Sequence, residues 1–209
     1  AVDQDTDRLA RLRERRGVRS VEVSGVSVAE VVVVAVKPHH VATALTDIAP
    51  HLGPDAVVVS VAAGVTLARL TEVLPEGQPV IRVMPNTPAL VGRGVAGLAA
   101  GPTVTPEQIA RVVAMMEAVG ICVELPESQF DALTAISGSG PAYLFLIAEA
   151  MIEAGVHQGL GRDIATRLVN GTFAGAAAML EGVDASATEL RERVTSPAGT
   201  TAAALRVLD

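Results

Sequence analysis

Two short valine-rich segments most constrain what this chain can fold into. Val31–Val36 and Ala56–Val61 are apolar runs without the regular polar alternation of a strand that has one face in water. Runs of this length and composition are typical of strands that are buried on both faces of a parallel sheet. The sequence therefore predicts a sheet that other elements cover on its two faces.

Further strand and helix patterns alternate along the first half of the chain. The other predicted strands are Val80–Val83, Val95–Ala99 and Ile121–Glu124, and the predicted helices are Thr6–Arg16, Val41–Ala49, Leu67–Val73 and Pro106–Ala118. The last helix is the best defined, because Thr105 and Gln108 have the spacing of a capping box and Pro106 occupies the first helical position. Alternating strands and helices predict an α/β fold with a doubly wound parallel sheet.

The second half of the chain shows helical patterns only. From Ser128 onward the predicted helices are Ser128–Ile136, Ala142–Val156, Arg162–Leu180, Ala187–Arg193 and Ala198–Leu208. We therefore predict two domains, a sheet domain over residues 1–126 and an all-helical domain over residues 127–209. Hydrophobic residues make up 50% of the chain, and small residues recur in the helices, which favours a large core or a subunit interface.

The segment Thr195–Thr201 contains residues suited to hold a small anion at the start of a helix. Its sequence is Thr-Ser-Pro-Ala-Gly-Thr-Thr. We predict Ser196 as the N-cap and Pro197 as the first helical residue, which would leave the next three amides without intrahelical partners. Such amides bind carboxylates. An ordinary capped helix would contain the same residues, so this segment alone does not define a binding site.

Four other segments occur with it in the order of a known family. They are Ala35–Pro38, Ser60–Thr66, Arg82–Pro88 and Ser137–Tyr143. Each alone would only mark a turn, but together with Thr195–Thr201 they resemble the pyrroline-5-carboxylate reductases. That family reduces the cyclic imine 1-pyrroline-5-carboxylate to L-proline with NAD(P)H, the last step of proline biosynthesis. The resemblance implies a Rossmann-like sheet followed by a helical dimerisation domain.

Two features of the family have no counterpart in this sequence. The family's glycine-rich phosphate loop, which should follow the first strand of the Rossmann-like sheet, has no counterpart before Val31. The family's last helix, after Leu205–Asp209, is also missing. We therefore expect this chain to be the middle of a longer reductase, with a sheet that is incomplete at its N-terminus.

The resemblance also implies a cofactor site for NADP or NAD. Ligands of such sheets bind outside the carboxyl ends of the strands. The residues implied to line the cofactor are Val36, Lys37, Pro38, Ala62, Ala63, Gly64, Pro85, Asn86 and Arg193. Of these, Asn86 would lie beside the nicotinamide, and we expect Asn86→Ala to weaken cofactor binding without affecting the fold.

The residues implied to bind the cyclic imino acid are Glu127, Gly199, Thr200 and Thr201. The amides of Gly199 and Thr200 would hold the carboxylate, and the Thr201 hydroxyl would contact the ring nitrogen as the catalytic contact. A protonated imine already accepts hydride, so positioning and charge stabilisation suffice. For Glu127 an equal alternative is an acid that stabilises a helix N-terminus. Ala198 stands where the family usually has glycine, and it would be strained if its φ were positive.

Composition limits the other function classes. A net charge of −7 argues against nonspecific nucleic-acid binding. The longest apolar stretch, Ala142–Ile152, contains Glu149 and is followed by Glu153, which argues against a membrane span. Cys122 is the only cysteine and the four histidines lack metal-binding spacing, so we predict no disulfide, no metal site and a reducing cytoplasmic location. The resemblance implies a homodimer or a larger assembly of dimers.

Two alternatives remain open from the sequence. Other imine or hydroxy-acid dehydrogenases commonly use a lysine on the first long interdomain helix, but Ala142–Val156 contains none and Lys37 is the only lysine. The second alternative, motivated by the absent phosphate loop, is a non-catalytic oligomerisation or regulatory fragment. The choice between NADP and NAD is also open, because the family residues that read the 2′-phosphate precede Ala1.

Overall fold

The computed structural model describes residues 1–208, and its first part is built on a five-stranded sheet. The strands are β1 (Val31–Val34), β2 (Val57–Ser60), β3 (Val80–Met84), β4 (Gly94–Ala100) and β5 (Gly120–Glu124), and they are adjacent in chain order. β1, β2 and β3 are parallel, whereas β4 is antiparallel to β3 and parallel to β5.

The antiparallel pair is a local departure from the predicted doubly wound parallel sheet. The connection between β3 and β4 is Pro85–Arg93. It is shorter than the roughly dozen residues that a crossover between parallel strands requires. A connection of this length can only return the chain beside β3 in the opposite direction, so the sheet is parallel-dominated and retains its Rossmann-like character.

The α-helices of the sheet unit that lie before β5 agree with prediction to within a few residues at their ends. They are α1 (Thr6–Arg16), α2 (Val41–Ile48), α3 (Leu67–Thr71) and α4 (Pro106–Glu117). The capping box of α4 is confirmed, because the Thr105 side chain accepts from the Gln108 amide and the Gln108 side chain accepts from the Thr105 amide. A 3-10 segment over Val23–Val28 was not predicted.

The valine-rich strand β2 is buried on both faces, as predicted. Val57, Val58 and Val59 are fully buried. Successive side chains of a strand point to opposite faces, and Val58 accordingly packs into one apolar cluster with Leu45 while Val57 and Val59 pack into another with Leu98. The two clusters place the core on both sides of the sheet.

Helical structure runs without a loop from Glu127 to His157, which corrects the prediction of two separate helices. A 3-10 turn at Glu127–Gln129 and α5 (Phe130–Leu133) lead into a π-helical turn at Thr134–Gly138, and α6 follows at Gly140–His157. The π turn absorbs the extra residue, because the Ser139 amide donates to the Thr134 carbonyl at 2.8 Å. Such turns occur frequently at functional sites.

Three α-helices follow α6 in the described part of the chain. They are α7 (Arg162–Gly182), α8 (Ala187–Arg193) and α9 (Thr200–Leu208). Contacts divide the chain into two compact units, Ala1–Pro141 and a second that begins at Ala142. The segment before Pro141 belongs with the sheet because its side chains reach the strands: Phe130 is buried, and Leu133 lies against Gly97 of β4.

Helix α6 exposes a large apolar surface within its own unit. None of its residues is buried, and Tyr143, Leu144, Phe145 and Leu146 are each more than half exposed. Apolar residues on all sides of a helix indicate that another surface covers it. By length and composition alone, Glu127–His157 could also cross a membrane.

Candidate functional site

Three loops meet at the carboxyl edge of the parallel strands. The register pairs Val34, the last residue of β1, with Ser60 of β2, and Ser60 with Arg82 of β3. The strands therefore end side by side. The segments that follow them are Val36–Pro38, Ala62–Gly64 and Pro85–Asn86, so the structure brings together the predicted cofactor residues of the sheet unit at one edge.

The loop after β2 presents small residues and open backbone. Ala63 and Gly64 are exposed, and no side chain or backbone atom would meet a Cβ at Gly64. Gly64 has φ +75°, a conformation that favours glycine. Ala62 is buried, and its amide donates to Ser60 Oγ at 3.3 Å. Small residues beside accessible amides suit the close approach of a dinucleotide, so these residues fit the predicted cofactor.

The loop after β1 is more polar. Lys37 is exposed and precedes a 3-10 turn that begins at Pro38, in which the His40 amide donates to the Lys37 carbonyl at 2.8 Å. The turn presents a cation at the edge of the sheet, and its charge is opposite to that of the phosphates of the predicted cofactor.

Asn86 connects three parts of the sheet unit. Its side-chain Nδ2 donates to the Ser137 carbonyl at 2.9 Å, and its Oδ1 accepts from the Val95 amide at 2.8 Å. The side chain thereby joins the end of β3, the start of β4 and the π turn. These bonds argue against the expectation that Asn86→Ala leaves the fold unaffected. Contact of Asn86 with a cofactor stays a prediction.

We expect Asn86→Ala to lower the free energy of unfolding by about 2 kcal/mol, because the Val95 amide and the Ser137 carbonyl each lose a partner. Urea denaturation of the complete protein measures this change. The matched control is Asn170→Ala, since Asn170 is an exposed asparagine on α7 and its loss is expected to change stability by less than about 0.5 kcal/mol. Equal stabilities of the two variants would contradict the structural role of Asn86.

Glu127 joins the helical segment to the sheet through one carboxylate oxygen. Its Oε1 accepts from the Leu67 amide at 2.7 Å and from Arg82 Nη1 at 2.8 Å. Leu67 is the first residue of α3, so the carboxylate lies at a helix N-terminus. The alternative role predicted for Glu127 was to stabilise a helix N-terminus. The helix that it caps begins 60 residues earlier in the chain. Contact of Glu127 with substrate stays a prediction.

Arg82, which pairs with Glu127, was given no role in the sequence analysis. Its side chain is only 9% exposed, and its guanidinium carbon lies 4.5 Å from the centre of the Phe130 ring. The sequence did contain a signal for this ion pair. Arg82 is the one charged residue of the apolar strand Val80–Met84, and a buried charge needs a partner of opposite charge. The position of that partner, Glu127, was not predictable from spacing.

The segment Thr195–Thr201 does not form the predicted cap. The Gly199 amide donates to the Ser196 carbonyl at 3.0 Å, and Ala203 donates to the Gly199 carbonyl, so Gly199 is the residue that precedes α9. The predictions of Ser196 as N-cap and Pro197 as the first helical residue are therefore wrong. Proline followed by a residue with positive φ favours a type II turn over a helix start.

The later start of α9 changes which backbone amides are free to bind an anion. The Gly199 amide is engaged by the turn, whereas the amide of Thr200, in the first turn of α9, has no intrahelical partner. Of the two amides predicted to hold the substrate carboxylate, that of Thr200 is thus the better placed to bind an anion.

Ala198 has the strained backbone that the sequence comparison suggested, with φ +59°. We expect Ala198→Gly to raise the free energy of unfolding by about 0.5–1 kcal/mol, since relief of the left-handed conformation exceeds the entropy cost of glycine. Thermal denaturation of the complete protein measures it. Ala204→Gly, within α9, should instead lower stability by about 1 kcal/mol. A loss of stability in both variants would count against strain at Ala198.

The remaining predicted residues contribute no further cluster. Arg193 is the exposed last residue of α8, and its cofactor contact stays a prediction.

Burial raises the pKa of the Cys122 thiol, and the carboxylates of Glu117 and Glu124 raise it further, so this residue is a thiol at neutral pH rather than a nucleophilic thiolate. Within residues 1–208, no group of three or more metal-ligating side chains is close enough to hold an ion.

A parallel-dominated sheet with three loops at its carboxyl edge, followed by a helical region, is the Rossmann-like architecture of the dinucleotide-binding class of proteins. Residues 127–209 match the family described as pyrroline-5-carboxylate reductase dimerisation, and residues 1–64 match the family described as NADP oxidoreductase, coenzyme F420-dependent. The pyrroline-5-carboxylate reductase of Mycobacterium tuberculosis H37Rv is 49% identical over 201 residues, which cover 85% of this chain and 68% of that protein. The chain belongs to the pyrroline-5-carboxylate reductase family.

Three further relatives agree with this assignment. The pyrroline-5-carboxylate reductase of Corynebacterium melassecola is 43% identical over all of this chain and 79% of that protein. The structure of the Coxiella burnetii reductase superposes with a TM-score of 0.90 at 38% identity, covering 99% of this chain and 78% of that one. The Plasmodium falciparum pyrroline carboxylate reductase with NADP bound gives a TM-score of 0.82 at 33% identity, covering 90% and 72%.

Proposed function

We propose how this chain carries out the reaction of its family, the reduction of 1-pyrroline-5-carboxylate to L-proline. NAD(P)H supplies a hydride, which adds to the carbon of the protonated C=N bond, so that the imine becomes a secondary amine and the cofactor becomes NAD(P)⁺. The observation that carries the proposal is the convergence of three loops at the carboxyl edge of β1, β2 and β3.

The residues proposed to hold the cofactor lie on these loops. Lys37 supplies a positive charge for phosphate oxygens, and the accessible backbone of Ala63 and Gly64 allows close approach. The other proposed contacts are Val36, Pro38, Ala62, Pro85, Asn86 and Arg193. Since the side-chain amide of Asn86 is engaged within the protein, we assign its contribution to the shape of the loop.

The residues proposed to hold the imino acid are Glu127, Gly199, Thr200 and Thr201. The Thr200 amide, at the positive end of α9, holds the substrate carboxylate with support from Gly199. The Thr201 hydroxyl accepts a hydrogen bond from the protonated ring nitrogen and so orients the ring before reduction. Residues 1–126 thus carry the proposed cofactor contacts other than Arg193, and residues 127–209 serve substrate binding and dimerisation.

The proposed activity is tested with the complete protein by following NAD(P)H oxidation in the presence of 1-pyrroline-5-carboxylate. The same assay with acyclic 2-oxo acids separates this reaction from that of a hydroxy-acid dehydrogenase. Turnover of the cyclic imine at least about a hundredfold more efficient than that of the 2-oxo acid is expected, because discrimination that rests on a charged hydrogen bond is strong. Equal efficiencies would refute the assignment.

We further propose a homodimer, or a larger assembly of dimers, in the cytoplasm, with α6 covered by a second copy of the chain rather than by lipid. Glu149 and Glu153 lie on this helix, and Glu153 forms two hydrogen bonds with Arg162 at 2.6 and 3.1 Å. Charged residues of this kind suit a wet subunit interface better than a bilayer core.

Sedimentation velocity at micromolar concentration should show a dimer or a multiple of it. Phe145→Glu, at an α6 side chain that is 67% exposed in the isolated chain, should shift the protein toward monomer, because it places a charge in the apolar centre of the interface. Arg167→Glu provides a control on the exposed surface of α7. A stable wild-type monomer, or flotation of the protein with lipid vesicles, would contradict the proposed assembly.

A further inference from the structure

The loop that follows β2 is fixed at both of its ends by different parts of the fold. At the first end, the Val61 amide donates to the Val34 carbonyl at 3.2 Å, and the sheet itself sets the backbone. At the second end the loop runs into α3, whose first amide, that of Leu67, donates to Glu127 at 2.7 Å. The conformation of the exposed residues between these ends depends on both attachments.

The second attachment depends on side chains from outside the loop, because α3 is too short to be stable alone. It contains only five residues, and helix formation requires several residues to be ordered before hydrogen bonds compensate. Two interactions cap it: the Thr66 side chain accepts from the Arg69 amide at 3.3 Å, and Glu127 accepts from Leu67. Buried Leu70 anchors its inner face.

Arg82 contacts the Glu127 carboxylate at the oxygen that caps α3. Its Nη1 donates to the same Oε1 that accepts from Leu67, at 2.8 Å. The guanidinium is itself held in place by burial within β3 and by the Phe130 ring beneath it. A rigid, buried cation therefore holds a partly exposed carboxylate in the position that caps α3.

We propose that Arg82 is a positioning residue for cofactor binding, which acts by holding Glu127 against the N-terminus of α3 and thereby keeps Ala62–Thr66 in its receptive conformation. The inference rests on the proposed function, because it requires the dinucleotide to lie at this loop. Without Arg82 the loop samples other conformations, and the apparent dissociation constant of the cofactor rises in proportion to the lost receptive fraction.

The test is a fluorescence titration of NAD(P)H into the complete protein. Arg82→Met should raise the dissociation constant about tenfold, equivalent to about 1.4 kcal/mol. Arg82→Lys should raise the dissociation constant less, about threefold. Lysine supplies a cation that can pair with Glu127, but it lacks the planar guanidinium that contacts the Phe130 ring. The turnover number at saturating cofactor should fall by less than about threefold, because bound cofactor restores the loop.

The matched control is Arg111→Met. Arg111 pairs with Glu30 at 3.1 Å, both side chains are exposed, and Glu30 precedes β1 at the opposite edge of the sheet. This variant should bind NAD(P)H within about twofold of the wild type, because an exposed pair contributes little. Urea denaturation of each variant shows that the titrated protein is folded, and Arg82→Lys serves if Arg82→Met does not fold.

Ala63→Glu separates failure of this inference from failure of the proposed function. A carboxylate in the exposed loop should repel the cofactor and greatly weaken binding. If Ala63→Glu weakens binding while both folded Arg82 variants bind normally, Arg82 is only structural and the inference is overturned. If Ala63→Glu itself binds NAD(P)H normally, the cofactor does not lie at this loop, and the proposed site and the inference fail together.

Discussion

Glu127→Ala is expected to lower the free energy of unfolding by about 3 kcal/mol. The substitution leaves the Arg82 guanidinium, 9% exposed, without its carboxylate and the Leu67 amide without its acceptor. Removal of one partner of a buried ion pair costs about 3–5 kcal/mol, and the lower end applies because Glu127 is 29% exposed. Urea denaturation of the complete protein, monitored by circular dichroism, measures the change.

Two control variants identify the source of this loss. Glu127→Gln keeps an oxygen that can accept from both donors, so it should recover about half of the stability. Glu30→Ala removes an exposed carboxylate that pairs with Arg111 and should cost less than about 0.5 kcal/mol. If Glu127→Ala were no more destabilising than Glu30→Ala, the Arg82 pair would have no role in holding the helical segment to the sheet.

Thr201→Val is expected to reduce the efficiency of pyrroline-5-carboxylate reduction by about tenfold to a hundredfold. Valine keeps the branched shape in the first turn of α9 but removes the hydroxyl that we assign to the ring nitrogen. The loss of one positioned hydrogen bond costs about 1–3 kcal/mol. Steady-state kinetics of the complete enzyme, with thermal denaturation to confirm folding, provide the measurement.

Thr200→Val is the matched control for this prediction. Thr200 is the first residue of α9, and we assign its role to its backbone amide, which valine retains. Its efficiency should therefore remain within about threefold of the wild type. Near-native and equal efficiencies for the two variants would remove Thr201 from the catalytic site and leave this segment as a turn followed by a helix.

The elements with strong local signals were predicted closely from sequence. The strand β2 followed from its uninterrupted valines, and the start of α4 followed from the Thr105–Gln108 capping box, because both patterns act within a few residues. The family was also recognisable from five short segments in order. The start of α9 was predicted wrongly, since Pro197 suits both a helix start and a turn, and only the positive φ of Ala198 separates the two.

The interactions that hold the candidate site together came only from the tertiary structure. Asn86 reaches Ser137, 51 residues later, and Glu127 reaches Leu67 and Arg82, 60 and 45 residues earlier. No spacing rule relates residues so far apart. The π turn at Thr134–Gly138 was likewise not predictable from the local sequence, because local propensity predicted a break between two helices there.

The fold class, the helical second half and the family could be predicted from the amino-acid sequence, because they depend on hydrophobic pattern and on short motifs that occur in a fixed order. The role of Arg82 and the conformation of the loops at the carboxyl edge became clear only from the folded structure. The physical reason is that a buried charge and an unpaired amide must find partners wherever the folded chain provides them. Those partners are set by packing in space, and the order of residues along the chain does not encode them locally.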